Sequence, residues 1–98
     1  MAAVTRWKPP QKAKRDANEA SIVQALEAWG FRVERLDKPC DLLISKRGMW
    51  FPAEVKNPEG RDRMQPAQEQ FIERHAPAPV PIFRTVEDVA EFARWVDR

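Results

Sequence analysis

Cysteine and histidine are nearly absent from this sequence, which has one of each among 98 residues. The single cysteine, Cys40, excludes an internal disulfide and a zinc site built from several cysteines, so we expect a reducing, cytoplasmic environment. Cys40 has no histidine near it in the sequence and is expected to be structural or incidental. His75 falls at a predicted helix end, where it is expected to be a partner of the helix dipole and not a catalyst.

Long apolar segments are also missing. No hydrophobic run approaches the roughly 20 residues that a membrane-spanning helix needs, and the mean hydropathy is -0.64. Arg6, Lys8 and two prolines interrupt the N-terminus before an apolar stretch can form, so no signal peptide is expected. The sequence therefore predicts a protein without a membrane partner.

The remaining composition is that of one small globular domain. Hydrophobic residues make up 43% of the chain and charged residues 33%, unlike disordered or fibrous proteins. A domain of this size buries only about 60–70% of its unfolded surface, so its core is modest. The aromatic residues predicted to lie in that core are Trp29, Phe31, Phe51, Phe71, Phe83, Phe92 and Trp95.

Positive charge is concentrated at the N-terminus. Residues 1–15 hold five of the 17 basic side chains and none of the 15 acidic ones, which leaves 12 basic and 15 acidic side chains in residues 16–98. We predict a basic N-terminal arm over 1–15 and a single domain over 16–98. The arm favours a polyanionic partner, and the alternative is a solvated tail.

The hydrophobic pattern first predicts one helix and three strands. Apolar residues at helical spacing predict a helix that begins near Asp16 or Asn18 and ends at Gly30. Alternation of apolar and polar residues then predicts extended segments. The three predicted strands span residues 31–36, 41–45 and 49–56.

A second helix, a short strand and a third helix are predicted to follow. Pro66 suits the first position of a helix over 66–75, and Thr85 with Asp88 forms a capping-box signature for the last helix. A strand over 80–84 separates these helices. The order α-β-β-β-α-β-α predicts an α/β fold with a mixed sheet flanked by helices.

A carboxylate interrupts the apolar stripe of the first helix. Glu19 precedes Ile22, Val23 and Leu26 by three, four and seven residues, which places it on the face that those residues bury. A buried carboxylate is costly unless another group compensates its charge. The alternative is a first-turn residue that the helix dipole favours.

The predicted hairpin brings two more carboxylates together. A turn at Arg47 and Gly48 places Asp41 directly opposite Glu54, with Cβ atoms about 5 Å apart. Facing carboxylates repel each other, whereas a divalent cation between them makes the net interaction attractive. Hard oxygen ligands indicate Mg²⁺, or Mn²⁺ as a substitute.

Pro52 lies inside the third predicted strand. It indicates a bulge or a sheet edge, because proline cannot donate a hydrogen bond to the ladder.

Two polar residues complete the candidate site. Lys56 follows Glu54 by two residues, so both side chains project from one face of the strand. Beside a bound metal, a lysine can orient water or neutralise charge on a phosphate. Gln68 shares a helix face with Phe71 and Ile72, where it can support the lysine or the phosphate. The alternative for Gln68 is a satisfied buried amide.

Asp41 followed by Glu54-Val55-Lys56 resembles the signature of the PD-(D/E)XK nuclease superfamily. Glu19, Gly30-Phe31-Arg32-Val33 and Asp41-Leu42-Leu43-Ile44 are similar to archaeal-type Holliday-junction resolvases. The resemblance covers roughly residues 16–92.

The later part of the chain looks more like VRR-NUC-type and small phage nucleases. The similar segments are Gln65-Pro66-Ala67-Gln68 and the stretch from Val80 to Asp88. One departure from the superfamily is that Cys40 stands between Pro39 and Asp41, where the family often has proline directly before the aspartate.

The resemblance implies a restriction-endonuclease-like αβββαβ core with an extra C-terminal helix. It implies a Mg²⁺-dependent, structure-selective DNA endonuclease that leaves 5′-phosphate and 3′-hydroxyl ends. Branched or junction DNA, a homodimer and a phage or prophage origin are further implications. The implied metal ligands are Asp41, Glu54, Glu19 and the backbone carbonyl of Val55, and the implied catalytic residues are Glu19, Asp41, Glu54, Lys56 and Gln68.

Other functions fit parts of the same pattern. A VRR-NUC-type nuclease acting on other branched or duplex DNA, a non-catalytic DNA-binding module and a partner-binding protein that uses the last helix are the alternatives. Basic residues in the arm, near the hairpin turn and in the 57–64 loop can contact phosphates. These candidates are Arg6, Lys8, Lys12, Lys14, Arg15, Lys46, Arg47, Arg61 and Arg63.

Overall fold

The computed structural model describes the backbone of residues 10–58 and 66–98, and the side chains of those ranges from residue 18 onward. It has the predicted order of elements. These are α1 (Pro10–Ala28), β1 (Arg32–Arg35), β2 (Leu42–Lys46), β3 (Met49–Val55), α2 (Pro66–His75), β4 (Ile82–Phe83) and α3 (Val86–Val96). The prediction of an α/β fold with a mixed sheet and helices is confirmed at this level.

The four strands form one sheet in the order β1-β2-β3-β4. The first three are antiparallel neighbours, and β4 runs parallel to β3. In the hairpin, Lys46 pairs with Met49 and Leu42 with Ala53, which is the predicted register. Arg47 and Gly48 both have positive φ, 57° and 79°, as a two-residue turn between twisted strands requires.

Pro52 lies at a local edge of the sheet. It pairs with Leu43 without a bulge, so the bulge alternative is wrong. The parallel ladder between β3 and β4 covers only Glu54 and Val55. Because no residue of β4 pairs with Pro52 among the described residues, its missing N–H interrupts no ladder there.

One face of the sheet carries the hydrophobic core, which α1 and α3 close. Phe92 of α3 is central, because its ring lies 5.9 Å from that of Phe31, 5.0 Å from Phe51 and 5.7 Å from Phe83. The buried hydrophobic cluster comprises Ile22, Leu26, Phe31, Leu42, Ile44, Phe51, Ala53, Val55, Phe83, Val89, Ala93 and Val96.

Three of the seven predicted core aromatics, Trp29, Phe71 and Trp95, lie outside the core. Trp29 is 37% exposed and Trp95 is 48% exposed. Trp29 follows the last residue of α1, and Trp95 lies at the rim, 6.2 Å from the ring of Phe51. The core prediction was wrong because it rested on the large apolar side chains alone. A sheet of four short strands has room for only a few large aromatic rings on its buried face. Phe71 is only half-buried, on a helix that buries no residue.

Helix α1 begins earlier than predicted. It starts at Pro10 and not near Asp16 or Asn18, since proline is well suited to a first helical position. The last six residues of the predicted arm, 10–15, therefore have helical backbone. Residues 1–9 lie outside the described structure. Among the described helices, none has the length and apolarity to cross a bilayer.

Strand β4 is also shorter than predicted, two residues in place of 80–84, and it leads directly into α3. The predicted capping box is confirmed. Thr85 Oγ1 accepts a hydrogen bond from Asp88 N, and the Asp88 carboxylate accepts from the backbone N–H groups of Arg84 and Thr85. This cap fixes where α3 starts relative to the strand that flanks Glu54.

We expect Thr85→Ala to lower the free energy of unfolding by about 1 kcal/mol, because Asp88 N loses its side-chain acceptor and keeps only the backbone carbonyl of residue 85. Urea denaturation followed by circular dichroism measures the change. Glu91→Gln, an exposed mid-helix change, is the matched control and should stay within about 0.5 kcal/mol of wild type. Equal midpoints for both variants would contradict the role of the cap.

Candidate active site

Two buried charged residues lie at the end of β3. Alternation along the strand turns Phe51, Ala53 and Val55 toward the core, so Glu54 and Lys56 belong to the opposite face. Glu54 is completely buried, and Lys56 is 7% exposed. Their backbone N–H groups donate to Pro81 O and Phe83 O, both at 3.0 Å. The parallel strand thus holds this part of the site in place.

Gln68 of α2 joins the two charges. Its Oε1 accepts a hydrogen bond from Lys56 Nζ at 2.9 Å, and its Nε2 donates to Glu54 Oε1 at 2.8 Å. This orientation of the amide is the one that both partners require, since the ammonium only donates and the carboxylate only accepts. The predicted support of the lysine by Gln68 agrees with this geometry.

Asp41 lies just before β2 and is held by a hydrogen bond from β3. Extending the hairpin register places it opposite Glu54. Asp41 is 4% exposed, and its Oδ2 accepts a hydrogen bond of 2.8 Å from the backbone N–H of Val55. A peptide N–H directed at a carboxylate stabilises the ionised form, which offsets part of the predicted repulsion between the two acids.

Glu19 is buried in the interior of α1. The helix begins nine residues earlier, so the alternative of a first-turn residue is wrong. Its side chain is 5% exposed and pairs with Arg35, with Arg35 Nε 3.5 Å from Glu19 Oε2. Arg35 is not among the residues predicted for the site, and the structure makes it a compensating charge for Glu19.

Asn18 is a second residue that the sequence analysis missed. Its Nδ2 donates a hydrogen bond of 2.8 Å to the backbone carbonyl of Lys56. This contact ties α1 to the strand that carries the candidate lysine. Asn18 had been considered only as a helix cap, and its neighbour Glu19 gave the only sequence signal that this turn of α1 approaches the site.

Cys40 and His75 take no part in this group. The Cys40 thiol donates to the carbonyl of Leu42 at 3.2 Å and is buried. Burial, with a smaller effect of the nearby Glu54 charge, raises the pKa of the Cys40 thiol, which makes it a poor nucleophile. His75 lies in the last turn of α2 against the ring of Phe71, at 4.8 Å.

The donor set suits a two-carboxylate metal site better than a three-carboxylate one. Among the side chains of residues 18–58 and 66–98, no three His, Cys, Asp or Glu residues form a group that could hold a metal ion. Mg²⁺ is commonly bound by one or two carboxylates with water and phosphate oxygens. The buried pair of Asp41 and Glu54 fits that requirement. The metal-ligand roles of Asp41, Glu54, Glu19 and the Val55 carbonyl all stay predictions.

The predicted DNA-binding residues do not all lie near this group. Lys46 and Arg47 are at the hairpin turn, at the other end of β3 from Glu54. The side chains of Arg6, Lys8, Lys12, Lys14, Arg15, Arg61 and Arg63 lie outside the described residues. The described site consists of Glu54, Gln68 and Lys56, joined by hydrogen bonds, with Asp41 held by the Val55 N–H on the neighbouring strand.

No family model, no curated protein and no solved structure matches this chain.

We expect Gln68→Leu to lower the free energy of unfolding by about 1–3 kcal/mol, because two charged groups, those of Glu54 and Lys56, each lose a hydrogen bond to the Gln68 amide. Chemical denaturation at pH 7 measures the difference. Gln70→Leu, an exposed glutamine on the same helix, is the matched control and should change stability by less than about 0.5 kcal/mol. If the two variants are equally stable, the amide bridge does not hold α2 on the sheet.

Proposed function

We propose that this protein is a metal-dependent DNA endonuclease with a restriction-endonuclease-like core. The observation that carries the proposal is the burial of Asp41, Glu54 and Lys56 in one polar group. Burying ionisable groups costs stability unless they are compensated, and such clusters concentrate at functional sites. A domain with a modest core would gain stability from apolar residues at these positions.

The proposed metal site consists of Asp41 and Glu54. When bound there, Mg²⁺ would polarise the scissile phosphate and lower the pKa of an attacking water. The surrounding residues fix these two ligands. Val55 N–H orients the Asp41 carboxylate, and the Gln68 amide orients that of Glu54.

Lys56 is the proposed catalytic residue for charge stabilisation. Its ammonium lies on the same strand face as Glu54, and Gln68 Oε1 accepts one of its three hydrogens. The remaining hydrogens can donate to phosphate oxygens as negative charge builds in the transition state. A donor that is already oriented needs little rearrangement at that moment, which is how such groups lower a barrier.

The substrate we propose is branched DNA. The basic segment at residues 1–15 supplies charge for phosphate contacts. A junction that is cut twice requires two active sites, so a homodimer acting in the cytoplasm of a phage-infected bacterium belongs to the same proposal. A module that binds DNA without cutting it is the competing outcome of the test below.

We expect wild-type protein to cut labelled branched DNA in millimolar Mg²⁺ and not in EDTA. Lys56→Met should reduce cleavage at least 100-fold while changing DNA affinity less than about threefold, because the lysine acts in the transition state. Cleavage rates and anisotropy titrations measure the two effects. Lys38→Met, an exposed lysine in the β1–β2 loop, is the matched control and should cleave normally.

Asp41→Asn provides a second test that does not depend on Lys56. An asparagine can still accept the Val55 N–H through its carbonyl oxygen, so the fold should be retained while cleavage is lost. Melting curves with and without Mg²⁺ check folding and metal binding together. Wild type that binds branched DNA but cuts no member of a panel of branched and linear DNAs would contradict the enzymatic proposal.

We expect replacement of Arg6, Lys8, Lys12 and Lys14 by glutamine to weaken duplex binding and its dependence on salt. Glutamine preserves helix propensity, which matters because α1 begins at Pro10. Each phosphate contact that is lost should flatten the slope of log affinity against log salt by about 0.9. An unchanged slope would make this segment a passive tail.

A further inference from the structure

A basic groove lies at the hairpin end of the sheet, far from Glu54. It encloses about 330 Å³, and Arg32, Lys46, Arg47 and Trp50 contribute to its walls. Among the residues that the structure describes, none that lines the groove is acidic. We call it the Trp50 groove. Its excess of cations favours an anionic ligand.

Trp50 gives this groove an aromatic wall. It is 63% exposed, more than the other exposed large hydrophobic residues. Trp50 pairs with Ser45 across the hairpin, and Ser45 pairs with Arg32 in the next strand. The three side chains therefore form one row on one face of the sheet. A serine in the middle of this row occupies little space between the guanidinium and the indole.

The cations of the groove differ in how tightly they are held. Lys46 Nζ donates to the carbonyl of Trp29 and to the Asp97 carboxylate, the latter at 2.9 Å. The Lys46 hydrogen bond, with the charges of Lys46 and Arg47, keeps the pKa of Asp97 below its usual value. Arg47 reaches Asp97 only at 3.5 Å and is 59% exposed. Arg32 is also exposed.

We propose that the Trp50 groove binds an unpaired nucleotide of a DNA strand. The base stacks on Trp50, and the guanidinium groups of Arg32 and Arg47 contact the flanking phosphates. An aromatic platform beside a basic track is the arrangement that binds single-stranded nucleic acid. Paired bases are stacked inside the duplex and present no open ring face, so the groove selects DNA with an unpaired segment.

The groove and the candidate active site belong to one face of β3. Trp50 and Glu54 are separated by an even number of residues, so their side chains leave the strand on the same side. Four residues of extended strand span about 13 Å, close to the rise of about four stacked nucleotides. This inference rests on the proposed nuclease function. It restricts the proposed substrate to DNA that has an unpaired base about four nucleotides from the cleaved bond.

Binding of a labelled thymidine oligonucleotide in EDTA tests the groove without cleavage. We expect Trp50→Ala to weaken binding roughly 5- to 150-fold in anisotropy titrations, and Trp50→Phe to restore most of the affinity. Met49→Ala is the matched control, because Met49 is exposed, adjacent, and on the opposite strand face. Its affinity should stay within about twofold of wild type. Tryptophan fluorescence should be quenched in wild type and much less in Trp50→Ala.

Several results would overturn this inference. Wild type that does not bind the oligonucleotide, or Trp50→Ala that binds as tightly as wild type, excludes the groove as a nucleotide site. Light scattering tests the alternative of a protein interface. If Trp50→Ala is a monomer where wild type is a dimer, and its oligonucleotide affinity is unchanged, the groove is a dimer interface and not a nucleotide site.

The experiments distinguish a wrong assignment of the groove from a wrong assignment of the nuclease function. If wild type cuts branched DNA in Mg²⁺ and Trp50→Ala cuts and binds equally well, only the groove is wrong. If Trp50 is needed for oligonucleotide binding but no DNA in the panel is cut, the groove stands and the nuclease proposal fails.

Discussion

The complete burial of Glu54 is the constraint on which the rest of the site depends. A carboxylate removed from water is costly unless hydrogen bonds and an opposite charge replace its hydration. Here one amide, that of Gln68, donates to Glu54 and accepts from Lys56. Helix α2 buries none of its residues. The hydrogen bonds of Gln68 therefore hold α2 on the sheet, whereas apolar packing holds α1 and α3. The position of α2 is thereby linked to the charges of the site.

One face of the sheet carries the hydrophobic core, and the other carries the candidate site. On β3, Phe51, Ala53 and Val55 join the core that α1 and α3 close. The alternate positions carry Trp50, Pro52 and Glu54, none of which belongs to that core. Because a strand alternates strictly, a slip of one residue would exchange the two sets. The tight turn at Arg47 and Gly48 therefore fixes core and site together.

The sequence predicted those features that follow from local chemistry. The hairpin register follows from the turn residues, and the start of α3 follows from the capping residues Thr85 and Asp88. Gln68 stood out because it shares a helix face with Phe71 and Ile72. The sequence did not predict the start of α1, because residues 10–17 show no apolar period and Asp16 resembles a cap. The pairs Glu19–Arg35 and Asn18–Lys56 depend on how α1 crosses the sheet, which no local pattern specifies. Trp29 and Trp95 were assigned to the core by their size alone.

The parallel pairing of β4 has a consequence for how the chain behaves when it is only partly folded. The hairpin of β2 and β3 closes through two residues, whereas β4 reaches β3 only after the chain has passed through α2. Local pairing of this kind forms readily, and a long loop closes late and opens early. If β4 detached, the backbone N–H groups of Glu54 and Lys56 would lose their acceptors while β3 stayed paired with β2. Such an edge is a template for the strand of another molecule, so warming should drive self-association before the hairpin itself unfolds.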